Sequence, residues 1–197
     1  MFLNTAVFKR MIKKAWSGAG LTVGRDGEEL FLEGGFWIIR MKAKEIPNKE
    51  KAAIIELTGE LPGEGEVFKA LKGVGNQYEM KFSDAWNIRA TMQLAETEFK
   101  WTNVLIMQNK TLCRVAKCMD STGKCILIND MFYDLIDYDA IDRQKETEPE
   151  GPFAADENGT VMYWENGICA VAAYKRITNE ENYEEELMEA LRKIEEL

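Results

Sequence analysis

The sequence predicts an α+β fold, strand-rich and antiparallel, on three observations. Short apolar runs of strand length alternate with turn dipeptides: Asp26-Gly27, Gly34-Gly35, Asn158-Gly159 and Asn166-Gly167. Stretches with helical spacing precede the strands near both ends of the chain. The spacing of "DGEELFLEGGFWII" (26–39) returns in "NGTVMYWENGICAV" (158–171). A chain of 197 residues with 46% hydrophobic content, nine Phe and five Trp has ample material for a packed core.

In order along the chain, Asn4 or Thr5 caps a helix running to about Trp16. Phe8, Met11, Ile12 and Ala15 form its apolar stripe, and Lys9, Arg10, Lys13 and Lys14 lie on the opposite face. "SGAG" ends the helix, and "LTVGR", "ELFLE" and "FWIIRMKAK" follow as three strands. In the middle, "QYEMKF" and "WNIRATMQL" alternate like strands, while "KEKAAIIEL" is ambiguous between helix and strand. "NVLIMQ", "LCRVAKCM" and "KCILI" continue as a meander, with a turn at Asn109-Lys110. Residues 130–141 then read as a helix, with Met131, Phe132, Leu135 and Ile136 on one side and Asp130, Asp134 and Asp137 on the other. "FAAD", "TVMYWE" and "ICAVAAYKRI" are the closing strands.

Residues 21–40 align with 153–172 without gaps, matching Glu33 to Glu165 and Gly35 to Gly167. This describes an internal strand–helix–three-strand repeat, or else two unrelated meanders that share common turn chemistry. On the repeat reading, one domain spans 1–177. Repeat 1 is about 1–46, a central β meander is 47–125 and repeat 2 is about 126–177. An amphipathic helix at 178–197, striped by Tyr183, Leu187, Ala190, Leu191 and Ile194, packs on it.

Charge is uneven. Residues 1–51 hold ten Lys/Arg and six Asp/Glu, residues 52–129 nine of each, and residues 130–197 six and nineteen, which gives the net −9. Such asymmetry can steer a charged partner to one end of a molecule. There is no His, and Cys113, Cys118, Cys125 and Cys169 form no CxxC pair. They are therefore expected to be buried, reduced thiols, with no metal site and no cofactor. Cys113 and Cys118, at odd separation on one strand, point to opposite faces. No catalytic residue is assigned, because no GxSxG, P-loop or helix-opening GxGxxG is present. No apolar run is long enough to span a bilayer, and the N-terminal stretch carries too much charge for a signal peptide. The expectation is a cytoplasmic protein with no membrane partner.

Strand–helix–three strands, given twice, resembles the repeat of DNA sliding-clamp domains. The resemblance covers about 1–46 and 111–177 and rests on element order. It implies two helices side by side on one face of the sheets, cations turned to the backbone of double-stranded DNA, and a tether for other proteins rather than a catalyst. Carried onto this chain, it makes Lys9, Arg10, Lys13 and Lys14 the nucleic-acid-binding residues. The acids of the 130–141 helix and the long 47–110 segment depart from the pattern. A clamp-like fold without ring closure, as in a phage or mobile-element protein, fits better than a working clamp.

Three functions follow: a clamp-like DNA-associated accessory or scaffold protein, a protein-interaction or structural module without DNA binding, and a carboxylate-based enzyme. A protein partner is expected, and homo-oligomerisation stays open. Should the 5–16 and 130–141 helices lie side by side, the basic face meets an acidic one, which counts against DNA.

Overall fold

The computed structural model of the chain describes residues 1–78, 81–120 and 123–175. The helix expected at 178–197 lies outside them. The described residues form four α-helices: α1 (Thr5–Ser17), α2 (Asn48–Thr58), α3 (Ile88–Met92) and α4 (Met131–Leu135). The strands are β1 (Leu21–Asp26), β2 (Glu29–Glu33), β3 (Trp37–Lys42), β4 (Val67–Leu71), β5 (Gly75–Gln77), β6 (Thr97–Gln108), β7 (Thr111–Cys118), β8 (Cys125–Asn129), β9 (Glu150–Ala154), β10 (Val161–Glu165) and β11 (Cys169–Tyr174). They form one antiparallel sheet in the order β5-β4-β1-β2-β3-β11-β10-β9-β6-β7-β8.

The centre of the sheet is the seam between β3 and β11, where Trp37 lies opposite Ala173, Ile39 opposite Val171 and Met41 opposite Cys169. Both strands are buried at five successive positions, because the sheet is covered on both faces here. One face packs under α1, α2 and α4, with Trp37, Ile39, Val171 and Trp164 in its core. Truncating a buried Trp of this kind costs about 3–5 kcal/mol. Trp86, Ile88 and Met92 cover the other face, above Phe31, Ile38, Ala170 and Ala172. The small Ala170 and Ala172 give α3 room to approach β11.

α1 forms as its sequence requires. The Asn4 side chain accepts from the N–H groups of Ala6 and Val7, and Val7, Phe8, Met11 and Ile12 are buried. Asn109 and Lys110 both take positive φ, the geometry of a tight two-residue hairpin. Cys113 sits in a small cluster with Val115 and Leu127, while Cys118 faces the main core, so the two do point to opposite faces.

Several elements differ from expectation. The ambiguous "KEKAAIIEL" lies within helix α2. Among its described residues "QYEMKF" does not continue as a strand: β5 stops at Gln77, the Tyr78 ring packs on Phe68, and Phe82 packs on Phe31 on the opposite side of the sheet. "WNIRATMQL" contributes α3 instead of a strand, since Ile88 and Met92 also satisfy helical i,i+4 spacing and both face the sheet. The helix expected over 130–141 has only five residues, because Ile136 turns extended and bridges to Leu3. "FAAD" also shifts: β9 begins at Glu150 and ends at Ala154, and Asp156 instead accepts from the Asn158 N–H.

Candidate nucleic-acid interface

α1 lies on the outside of the helix-covered face, between α2 and α4. Its buried stripe fixes its rotation, so Lys9, Arg10, Lys13 and Lys14 are all exposed. None of the four forms an ion pair with a described residue. Their spacing places two i,i+4 pairs along about one and a half turns of helix. Like charges held this way repel mildly, which an anion laid along the helix would relieve. On α2, Lys49 is exposed and Lys51 half-buried, while Glu50 is buried and accepts from the Thr5 hydroxyl at 2.5 Å.

α1 does touch α4, the arrangement that counts against DNA. The acids there are mostly committed, however. Asp130 is buried and pairs with Arg114 at 2.6 Å. Asp137 accepts from the N–H groups of Asp139 and Ala140 at 3.0 and 3.2 Å. Asp134 alone of the three is exposed. Of the three, only Asp130 is paired with a cation among the described residues, and Asp134 and Asp137 keep their charge.

A groove of about 530 Å³ opens beside Lys14, lined also by Phe36, Thr111, Asn129, Tyr174 and Lys175. Phe36 leads into β3 after the Gly34-Gly35 turn, where Gly35 takes a φ of +86°. Its ring meets Phe132 of α4 edge-on at 6.2 Å, and its carbonyl accepts from the Tyr174 N–H at 3.0 Å. Partial burial, with Tyr163 and Glu33 nearby, pushes the Tyr174 phenol up, so it stays protonated at neutral pH. Tyr133, also exposed, lies under the Arg114 guanidinium at 3.8 Å from its ring centre. Neither Phe36 nor Tyr174 stands in a sequence pattern that marks a site. Their only signal was position, one at a turn and one at a strand end.

A second cleft, about 600 Å³, lies on the α3 face beside Arg89, Glu96, Glu150, Phe153, Tyr163 and Glu165. Its charges form a network. Arg89 Nε donates to Glu29 at 2.6 Å and Nη1 to Glu165 at 2.9 Å. Arg40 Nε donates to the other oxygen of Glu29 at 2.8 Å, Nη2 to Asp26 at 3.1 Å and Nη1 to the Trp86 carbonyl at 3.1 Å. These bonds hold the 86–92 segment to the sheet. Among the described residues, no group of three or more Cys, Asp or Glu is placed to hold a metal ion. The four cysteines are buried. No helix among the described residues is long and apolar enough to cross a membrane.

The chain matches no protein-family model, no curated protein and no solved structure.

Proposed function

We propose that the protein is a non-enzymatic, DNA-associated accessory or scaffold protein that holds a phosphate backbone along α1. The observation that carries this reading is the set of four exposed cations, Lys9, Arg10, Lys13 and Lys14, without acidic partners among the described residues of an otherwise acidic chain. A clamp-like organisation is part of the same proposal. It is supported by the paired hairpins β2–β3 and β10–β11, whose registers correspond: Leu30 lies opposite Met41, and Met162 opposite Ala173, each residue 132 positions on. Under that offset Ile39 and Val171 are equivalent and lie opposite each other, as a local two-fold axis through the seam requires. Neighbouring helices α1 and α4 on one face also suit a clamp-like repeat.

Contacts of this kind are independent of base sequence and sensitive to salt. With about four phosphates neutralised, log K falls against log salt with a slope of about −3.6 on duplex or −2.8 on a single strand. The test is fluorescence anisotropy with labelled single-stranded and duplex oligonucleotides of mixed sequence at low salt. Replacing all four cations by Glu abolishes binding and leaves the far-UV circular dichroism unchanged, since all four point away from the core. Absence of binding to either form at tens of micromolar protein overturns the reading.

That outcome leaves a protein-interaction module, which one observation favours. The β6–β7 hairpin exposes Val104, Leu105, Met107 and Leu112, with Met107 directly opposite Leu112. An apolar patch of this kind marks a protein contact.

A further inference from the structure

We infer that the DNA held along α1 is single-stranded, and that its bases enter the groove beside Lys14. The inference rests on the proposed function and specifies the form of nucleic acid the site takes. A duplex keeps its bases stacked and paired inside, so a surface that binds it nonspecifically needs cations and little else. This surface has more. Phe36 and Tyr174 are each 37% exposed and line one groove with Lys14. Aromatic rings beside a cationic track are the composition of single-strand sites, because every base has a face that can stack.

The polar groups of the groove fit the same ligand. Asn129 uses its side-chain oxygen to accept from the Met131 N–H at 3.1 Å, which leaves its amide N–H₂ without a partner among the described residues. The Thr111 hydroxyl is likewise uncommitted among them, while the Thr111 carbonyl accepts from the Cys113 thiol at 3.8 Å. A donor amide and a hydroxyl at the mouth of an aromatic groove can meet the exposed edge of an unpaired base, an edge that a duplex does not present. Lys14 belongs both to the cation face and to the groove, so a strand whose phosphates follow α1 reaches the groove at the helix's C-terminal end.

The groove is formed by the last turn of α1, the Gly34-Gly35 turn, the end of β11, the start of β7 and the end of β8. Phe36 is held by its edge contact with Phe132 and by the backbone bond from Tyr174. An exposed ring held in place in this way offers stacking surface with little ordering cost on binding.

The experiment compares a labelled mixed-sequence single strand with the duplex made from it, by anisotropy over a salt series. The single strand is expected to bind more tightly than the duplex, with a salt slope of about −2.8. Phe36→Ala and Tyr174→Ala are each expected to weaken single-strand binding by about tenfold and to leave duplex binding unchanged. Because Phe36 also touches Phe132, Phe36→Leu serves as the second variant. It keeps an apolar contact, removes the ring face, and is expected to weaken single-strand binding with unchanged thermal unfolding. Equal or tighter duplex binding overturns the inference while the proposed function stands, as does single-strand binding that both Phe36 variants leave unchanged. No binding of either form overturns both.

Discussion

Gly34 donates its N–H to the Trp37 carbonyl at 3.1 Å, and 132 residues later Asn166 donates to Cys169 at 3.0 Å. The two turns share a backbone bond and distribute volume differently. A Cβ on Gly34 would lie 2.3 Å from the Trp37 ring. In the second turn the strand residue is the small Cys169, and a buried Asn166 side chain accepts from the N–H groups of Ile168 and Cys169. Bulk sits on the strand in one case and in the turn in the other. Outside the hairpins the correspondence fades. Gly24 lies opposite Phe31, and the offset would put Asp156 opposite Tyr163, but Phe153 is there instead. α1 has 13 residues and α4 has five. Turn chemistry and two-sided burial set the register of the hairpins, whereas the segments before them are set by what each packs against.

The largest expected effect comes from the far face, where the halves differ most in charge. The residue equivalent to Arg40 is Ala172. Arg40 is 5% exposed and ties Glu29, Asp26 and the Trp86 carbonyl together. Arg40→Ala makes the first hairpin resemble the second, and it leaves a largely buried carboxylate with one partner fewer. The expected loss is about 3 kcal/mol in urea denaturation. A loss under about 1 kcal/mol would mean that Arg89 alone satisfies Glu29 and that the halves are closer than their charges suggest.

Much of the pattern within the hairpins was legible in the sequence, because turn dipeptides and alternation are local. α1 was legible too, through its cap at Asn4 and its stripe. α4 was not, since its early end depends on Ile136 pairing with Leu3 at the other end of the chain. Nor was α3, because an alternating run that includes Ile88 and Met92 fits both periods, and the sheet decides between them. The Arg89 network joins partners 60 and 76 residues apart, and no spacing rule reaches across that distance. The four cations of the candidate interface were legible as the outer face of α1, whereas the aromatic groove beside them exists only once the segment before β3 and strands β7, β8 and β11 meet.

Gly27 and Gly159, equivalent under the offset, sharpen the comparison at a smaller scale. Both take a left-handed φ, +57° and +55°. A Cβ at 27 meets nothing within 4 Å, while one at 159 lies 2.3 Å from Ile126 Cδ1. Gly27→Ala therefore costs only backbone strain, about 1 kcal/mol. Gly159→Ala adds displacement of the Ile126 side chain, for about 2 kcal/mol in total. Equal costs in thermal unfolding would show that Ile126 yields freely and that the second turn is no more tightly packed than the first.

The smallest expected effect separates Trp37 from its equivalent, Cys169, by titration. Trp37 carries no ionisable group. Burial pushes the Cys169 thiol well above its ordinary value, so it stays protonated in the native protein throughout the accessible alkaline range. In the unfolded chain the thiol ionises near its ordinary value of about 8.5. The unfolded state then releases a proton that the folded state keeps, so stability is full below that value and falls as pH rises above it. The single-site contribution is negligible at pH 7 and just under about 1 kcal/mol by pH 9. Cys169→Ala removes this slope and adds a pH-independent packing cost, so the measured quantity is the change with pH of the stability difference between variant and parent, by urea denaturation from pH 7 to 9. The variant gains on the parent as pH rises. A difference that does not change with pH would mean that the thiol ionises in place, and that the second hairpin is wetter at this position than the first is at Trp37.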